Sequence, residues 1–169
     1  MSNPRRPLRL NVGLLVTAAI GTSRDFTFDY EKMRLGEDLT VKAFVGTARF
    51  NRTPQGLLLQ GEFSAKLDLE CVRCLDEYQQ NITWSLTDLY AFDVRSISES
   101  NLLVPEDGQI DLDPLLREYA LLEIPIQPVC RPDCKGLCPE CGDNRNRVNC
   151  GHTVPGSDSP FAALKDLLE

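Results

Sequence analysis

Seven cysteines and a single histidine are the residues of this 169-residue chain best suited to chemistry. They stand as Cys71-Val-Arg-Cys74, Cys130-Arg-Pro-Asp-Cys134, Cys138-Pro-Glu-Cys141 and Cys150-Gly-His152. Four close pairs supply eight soft donors, the number that two closed tetrahedral metal sites require. Zinc favours thiolate and imidazole, and a pair two or three residues apart can grip one ion from a tight turn. Cys138-Pro-Glu-Cys141-Gly142 is the sharpest of the four. Pro139 fixes the entry to the turn, and Gly142 lets backbone N–H groups approach sulfur, where they stabilise thiolate charge.

Two pairings follow. One places Cys71, Cys74, Cys130 and Cys134 round one zinc ion and Cys138, Cys141, Cys150 and His152 round another. The rival gathers Cys130, Cys134, Cys138 and Cys141 into a single local site and leaves Cys71 and Cys74 as a spare dithiol. Two sites are favoured, because Cys71 falls in phase with the buried face of a strand, where an idle thiol pair has no evident use. Disulfides would need oxidising surroundings and would leave one thiol over. A thioredoxin-like Cys-x-x-Cys belongs between a strand and a helix of a parallel unit, a poor match to an antiparallel setting. Four thiolates serve an iron–sulfur cluster equally well, so ligand type alone leaves that alternative open.

Catalysis finds little support. One histidine excludes any mechanism that needs two, and no serine nucleophile is a plausible partner for it. The acidic group Glu106, Asp107, Asp111 and Asp113 reads as a solvated loop and a helix cap rather than an acid/base pair. A catalytic zinc keeps an open position, whereas four tidy donor pairs suit closed, structural sites. The expectation is a protein that is not an enzyme and has no small-molecule substrate.

These donors need a scaffold, and the sequence specifies one. Between Gln55 and Cys71 the odd positions are Gln55, Leu57, Leu59, Gly61, Phe63, Ala65, Leu67, Leu69 and Cys71, with Gln60, Glu62, Ser64, Lys66, Asp68 and Glu70 between them. Period-two alternation of this kind is a strand with one face on a core and the other in water. Val41–Phe50 precedes it and ends at Thr53-Pro54-Gln55-Gly56, which predicts a hairpin. Ile82, Trp84, Leu86, Tyr90 and Phe92 alternate again, interrupted by Asp88. Residues 93–110 read as a loop punctuated by Pro105 and Gly108. A helix then starts with Asp113 as cap and Pro114 in the first turn, carries Leu115, Leu116, Tyr119 and Leu122, and stops before Pro125. A second short helix is predicted at the end, capped by Ser159, with Pro160 first and Phe161, Leu164 and Leu168 on one face. No internal repeat is evident.

The predicted fold class is α+β: an antiparallel β-meander or half-barrel with one packed helix, a cysteine-rich zinc-binding segment and a short C-terminal helix. The predicted organisation is a β-rich region over 1–92, loop and helix over 93–129, the metal-binding segment over 130–152 and a tail over 153–169.

Hydrophobic residues make up 42% and charged residues 25%, a globular balance that excludes wholesale disorder. Net charge is −7, so the chain is no simple polycation for nucleic acid. Its distribution is uneven. Residues 1–60 hold nine Lys and Arg against five Asp and Glu, and residues 61–129 hold four against fourteen. Arg5, Arg6 and Arg9 are placed to meet phosphate, and the acidic middle could steer a basic protein by charge. Arg5, Arg6 and Arg9 ahead of Val12–Gly21 have the outline of a signal peptide. The alternation of Leu8, Leu10 and Val12 with Arg9 and Asn11 reads instead as a first strand, and the run is too short to span a bilayer. Cysteine spacing suited to a reducing compartment points to the cytoplasm, with no membrane association.

Four motifs together resemble one family: LDLECVRCLDEY (67–78), DGQIDLDPLLREYALLEIPIQPVC (107–130), DCKGLCPECGDNRN (133–146) and SPFAALKDLL (159–168). The chain resembles the YceD family, bacterial and plastid proteins tied to accumulation of the large-subunit ribosomal RNA. The resemblance runs in order from about residue 8 to residue 168. In that family the gene usually neighbours one for a zinc-ribbon protein of the large ribosomal subunit, which implies a role in subunit assembly. Some members keep only the first Cys-x-x-Cys and the pair at Cys130 and Cys134, a pattern that favours two sites. Many end the later motif Cys-x-Cys where this chain has Cys150-Gly-His152.

The resemblance therefore implies a non-enzymatic factor in synthesis, processing or accumulation of large-subunit ribosomal RNA. Its partner would be that RNA or its precursor, a ribosomal protein or an assembly intermediate. Arg5, Arg6, Arg9, Arg131, Lys135, Arg145 and Arg147 are the candidate phosphate contacts. Aromatics are only 7%, and no RNA-binding aromatic motif is visible, so base stacking finds no support. The competing functions are a thiol or zinc sensor, a zinc carrier, and an enzyme with a zinc-bound water.

Overall fold

The computed structural model describes residues 7–97 and 100–152. The chain forms two compact units: the chain up to Leu69 with Gln79–Ile126, and Glu70–Tyr78 with the chain from Gln127 onward. The predicted C-terminal helix, with Ser159, Pro160, Phe161, Leu164 and Leu168, lies outside the described residues, as do Arg5 and Arg6.

Strands β1 (Arg9–Asn11), β2 (Ser23–Leu35), β3 (Leu39–Arg52), β4 (Gly56–Glu70), β5 (Glu77–Ala91) and β6 (Gln109–Asp111) account for most of the regular structure. Among the described residues the α-helices are α1 (Gly13–Val16) and α2 (Asp113–Leu122). The long strands form one sheet in the order β2-β3-β4-β5, a meander with β2 and β5 at its edges. The pairs β2–β3 and β3–β4 are antiparallel. The architecture is thus α+β, as the alternation predicts, with the meander open rather than closed into a barrel.

The inward row of β4 is almost wholly buried, with Leu57 and Leu59 inaccessible and Phe63, Ala65 and Leu67 nearly so. The predicted turn joins β3 to β4, where the Thr53 N–H bonds the Gly56 carbonyl at 2.9 Å. Register slips once between Lys42 and Val45, where Ala43 adopts φ +46°. A residue in that region forms a bulge and turns following side chains to the other face. Phe63 stacks with Phe44 at 5.8 Å and with Trp84 at 5.7 Å between ring centroids. Its ring lies over two glycines: a Cβ added at Gly46 or Gly61 would fall 2.3 or 2.5 Å from it. Glycine here makes room for an aromatic on the sheet.

The segment 93–110 is more than a loop. It holds a 3-10 turn at Val94–Ser96, whose Asp93 carboxylate caps the Arg95 and Ser96 N–H groups, and it leads into β6. Strand β6 pairs antiparallel with β1, Leu10 opposite Ile110, so the apolar N-terminal run is built into the fold. Leu8, Leu10, Val12 and Leu15 are all buried in the core of this unit.

Helix α2 begins one residue from its expected start. Leu112 occupies the cap position, with no side-chain cap bond, and Asp113 is already helical. The Asp113 carboxylate instead accepts the Gly36 N–H at 3.0 Å in the β2–β3 turn. Arg117 pairs with Asp38 of the same turn at 2.6 Å. Leu115, Leu116 and Ala120 are the buried stripe of the helix, and Glu123 ends it short of Pro125. Among the described residues no helix is long and apolar enough to cross a membrane.

Candidate metal centre

All eight predicted donors belong to the second unit, where they form two groups. Cys71, Cys74, Cys130 and Cys134 make the first; Cys138, Cys141, Cys150 and His152 make the second. In each group the ligand atoms lie within 4.8 Å of one another. The rival grouping of Cys130 and Cys134 with Cys138 and Cys141 is not the one the chain adopts.

Two copies of one turn present the Cys-x-x-Cys pairs. In the first, the Cys71 N–H bonds the Asp76 carbonyl at 3.0 Å and the Leu75 N–H bonds the Cys71 carbonyl at 2.8 Å. In the second, Cys138 to Asp143 and Gly142 to Cys138 repeat both bonds, at 2.8 and 2.9 Å. The residue after the second cysteine is left-handed in each, Leu75 at φ +59° and Gly142 at φ +76°. Thus a six-residue repeat, Cys-x-x-Cys-x-Asp, is present at Cys71–Asp76 and Cys138–Asp143, where no internal repeat was expected. Two matching cysteines and one aspartate are too short a signal to register as an internal repeat.

The remaining donors come from shorter turns. Arg131-Pro132-Asp133-Cys134 closes with the Cys134 N–H on the Arg131 carbonyl at 3.1 Å, and Pro132 supplies the φ such a turn needs. Val72 N–H to Pro128 carbonyl, at 2.9 Å, holds this strand of chain against the first knuckle. Gly151 turns left-handed at φ +72° between Cys150 and His152.

Distances match a tetrahedral cation better than a disulfide. Zinc–sulfur bonds of about 2.3 Å set sulfur atoms about 3.8 Å apart across a tetrahedral edge, whereas a disulfide needs about 2.05 Å. Cys71 and Cys134 are 3.9 Å apart and Cys74 and Cys130 are 3.7 Å apart. Cys138 Sγ lies 3.7 Å from His152 Nδ1, near the edge a mixed sulfur and nitrogen shell would give. His152 Nε2 lies 3.7 Å from the Glu140 carboxylate. A carboxylate behind a ligating imidazole orients the ring and raises its basicity. The donor set in both groups therefore fits zinc.

Charge within each group is frustrated without a cation. Burial opposes ionisation of Cys71, but the N–H groups of Cys130, Cys74 and Arg73 outweigh it and bring the thiol down to about 6. The Asp76 N–H favours Cys74 as thiolate, yet burial and the sulfurs of Cys71, Cys130 and Cys134 push it up to about 12. Burial also raises Cys130, while Cys134 is lowered, burial being outweighed by the Asn146 amide and the Gly136 N–H. The second group repeats this. The N–H groups of Cys141 and Glu140 take Cys138 to about 6. Cys141 is drawn down by the Asp143 N–H and driven up more strongly by burial, by Cys138 and Cys150 and by the Asp143 carboxylate, reaching about 12. Each group ionises partly and then resists further negative charge, a conflict that a divalent cation removes.

Several partners of the site were not foreseen. Tyr78 packs on the first group with its hydroxyl buried and unpartnered. Arg73 Nη1 donates to the Cys134 carbonyl at 3.3 Å. Asn146 Nδ2 donates to Cys134 Sγ at 3.4 Å, and Asn144 Nδ2 to Asp76 at 2.8 Å. None carries a spacing signal, because each acts through contacts distant in sequence.

Of the candidate phosphate contacts among the described residues, Arg9 belongs to the first unit and Arg131, Lys135, Arg145 and Arg147 to the second. Arg9, in the first unit, pairs with Asp107 at 2.8 Å. Arg131 pairs with Asp133 and Arg147 with Asp76. Lys135 and Arg145 form no ion pair among the described residues.

Residues 59–168 match the family described as large ribosomal RNA subunit accumulation protein YceD. The chain belongs to the YceD family. An uncharacterized Mycobacterium tuberculosis protein is 36% identical to it over 124 residues, covering 71% of this chain and 59% of that protein. The chain thus spans about three fifths of the curated relatives it matches first. An Arabidopsis thaliana chloroplast protein, named large ribosomal RNA subunit accumulation protein YCED homolog 1, is 35% identical over 65 residues, 38% of this chain and 20% of its own length. The uncharacterized protein YlbN of Bacillus subtilis is 30% identical over 108 residues, 63% of each chain. No solved structure matches this YceD chain.

Proposed function

We propose that this YceD chain is a non-enzymatic factor supporting accumulation of large-subunit ribosomal RNA and assembly of the large subunit, with two structural zinc ions shaping its second unit. The observation that carries the metal part is the closure of both groups. Each group brings four protein donors within 4.8 Å of one another, so a zinc ion bound there would have its tetrahedral shell complete, with no position left for a water or a substrate. Zinc there would neutralise the thiolates and fix the turns; the protein's own residues supply the surface. The family membership carries the ribosomal part, supported by the name of the chloroplast relatives. Lys135 and Arg145, unpaired among the described residues, are the cations best placed for phosphate. The partner is large-subunit precursor RNA, or a basic ribosomal protein drawn to the acidic middle of the chain, and the compartment is the cytoplasm.

The test is crosslinking and capture of the tagged chain from growing cells, with RNA and protein both identified. Large-subunit precursor RNA or large-subunit particles should be enriched, and depletion of the chain should lower mature large-subunit RNA. Capture of neither RNA nor ribosomal protein overturns the proposal. A second reading, a zinc carrier or sensor, draws on the exposure of Cys141 and His152 in the second group, against the three buried cysteines of the first. It requires that the second ion pass to an acceptor protein faster than it leaves to solvent.

A further inference from the structure

The eight donors leave the loop 142–149 unexplained. It leaves the second group at Cys141, returns to it at Cys150, and between them makes its contacts beside the first group. Asn146 Oδ1 accepts the Lys135 N–H at 2.8 Å and Arg131 Nη2 at 3.0 Å. Both partners can only donate, which fixes the oxygen and turns the amide nitrogen toward sulfur. That Nδ2 donates to Cys134 Sγ at 3.4 Å and to Asn144 Oδ1 at 2.9 Å. Asn144 Oδ1 also accepts the Asn146 N–H at 3.0 Å. Asn144 Nδ2 and Arg147 Nη2 then divide the Asp76 carboxylate, each at 2.8 Å. The Arg145 N–H bonds the Gly136 carbonyl at 3.0 Å. Lys135, Arg131, Asp76 and Gly136 all lie within two residues of a cysteine of the first group.

We infer that the two metal groups are coupled, the second acting on the first through Asn146. A cation held by Cys141 and Cys150 fixes both ends of the loop, which lowers the entropy lost in bringing Asn146 to Cys134. The amide N–H then relieves the charge on a ligating thiolate, so the first group holds its ion more tightly. Coupling is reciprocal: filling the first group anchors the loop and favours the second. This rests on the reading of both groups as zinc sites.

Cobalt(II) in place of zinc tests it on the full, reduced chain, since four-sulfur and three-sulfur, one-nitrogen shells absorb at different wavelengths. Removing the second group with Cys141→Ser and Cys150→Ser together should weaken cobalt binding by the first about tenfold. Asn146→Ala, with every donor intact, should reproduce most of that loss. It should also move the sulfur-to-cobalt band of the first group to longer wavelength, because its sulfur has lost a hydrogen bond, and should change the second group less than the first. In the Asn146→Ala background, removing the second group should add little. Asn146→Asp keeps the side chain's shape and sets a negative charge against Cys134, so it must also weaken the first group. An unchanged first group in the Cys141→Ser, Cys150→Ser protein overturns the coupling. So does a loss in Asn146→Ala that falls equally on both groups with no band shift, the sign of a general folding defect. An intact chain that binds no cobalt at all refutes the zinc reading itself, and the coupling with it.

Discussion

At the scale of residues, the two knuckles form a natural comparison, because the backbone hydrogen bonds and the left-handed position repeat while the residue at that position is Leu75 in one and Gly142 in the other. Gly142 holds its left-handed conformation freely, whereas Leu75 does so against its Cβ, at a cost of about 1–2 kcal/mol. A Cβ at Gly142 would meet nothing within 4 Å, so any penalty there is conformational. Gly142→Ala should weaken zinc binding by the second group about fivefold, or about 1 kcal/mol. Leu75→Gly should tighten the first group by up to the same factor, as Leu75 is 56% exposed and loses little contact. Competitive titration against a zinc indicator reads both; changes of one sign would show that the turns are not equivalent.

The thiols set a pH dependence of definite sign. Below pH 9 the metal-free chain keeps protons on Cys74, Cys130 and Cys141, all raised from 9.0, while Cys71 and Cys138 are already thiolates above about 6. Zinc must expel the bound protons, so affinity rises with pH. For the first group, with Cys74 and Cys130 protonated, the rise should be at least about a hundredfold per unit between pH 6.5 and 8.5. Below about 6 the fall should steepen as Cys71 and Cys138 protonate. Proton release into weak buffer on adding zinc measures this directly, and binding without release would refute the assigned protonation.

At the scale of elements, α2 shows how a locally legible helix is placed by distant partners. Its stripe was readable from Leu115, Leu116 and Tyr119, but Leu122, expected on the same stripe, is 76% exposed, and the helix start was not readable. Asp113 is a good cap by type, yet its carboxylate is taken by a turn 77 residues away, information that no local window contains. Leu116 is fully buried, so Leu116→Ala should destabilise the first unit by about 2–5 kcal/mol. Asp113→Ala removes a charge-assisted bond to Gly36 and should cost about 1.5–3 kcal/mol at most, since that bond is only part-buried. Denaturant unfolding followed through Trp84 distinguishes them, and a larger loss for Asp113 would mean that the turn rather than the core orients the helix.

The strands divide in the same way. β4 was legible because its alternation runs unbroken. In β2 the apolar phase changes between Phe26, Phe28 and Tyr30 on one side and Met33 and Leu35 on the other. The change falls opposite Ala43, where β3 bulges, so two strands shift phase together for a reason neither reveals alone. β1 and β6 are three residues each and pair across about a hundred positions, with only a short apolar alternation to mark them. The donors, by contrast, were legible as a set because metal chemistry restricts residue type, and a restricted type is visible without a fold.

At the scale of the whole molecule, the two units are stabilised by different physics. The first has a hydrocarbon core of aromatic and aliphatic residues. The second has a buried cluster of Cys71, Cys74 and Cys134, with Tyr78, Val129 and Cys130 packed against it. Among the described residues so little apolar area does not by itself offset the entropy of ordering the chain, and the expectation is that this unit depends on metal for its fold. Chelation of the reduced protein should therefore release the backbone amides of 130–150 to solvent exchange while those of β3 and β4 stay protected. Loss should proceed in two steps, the second group first, because Cys141 and His152 are exposed and Cys150 is half-buried, whereas Cys71 is inaccessible. Hydrogen exchange with metal counting follows both steps. Equal protection of 130–150 with and without metal would mean that the second unit folds on hydrogen bonds alone, and the metal would then be a passenger rather than its core.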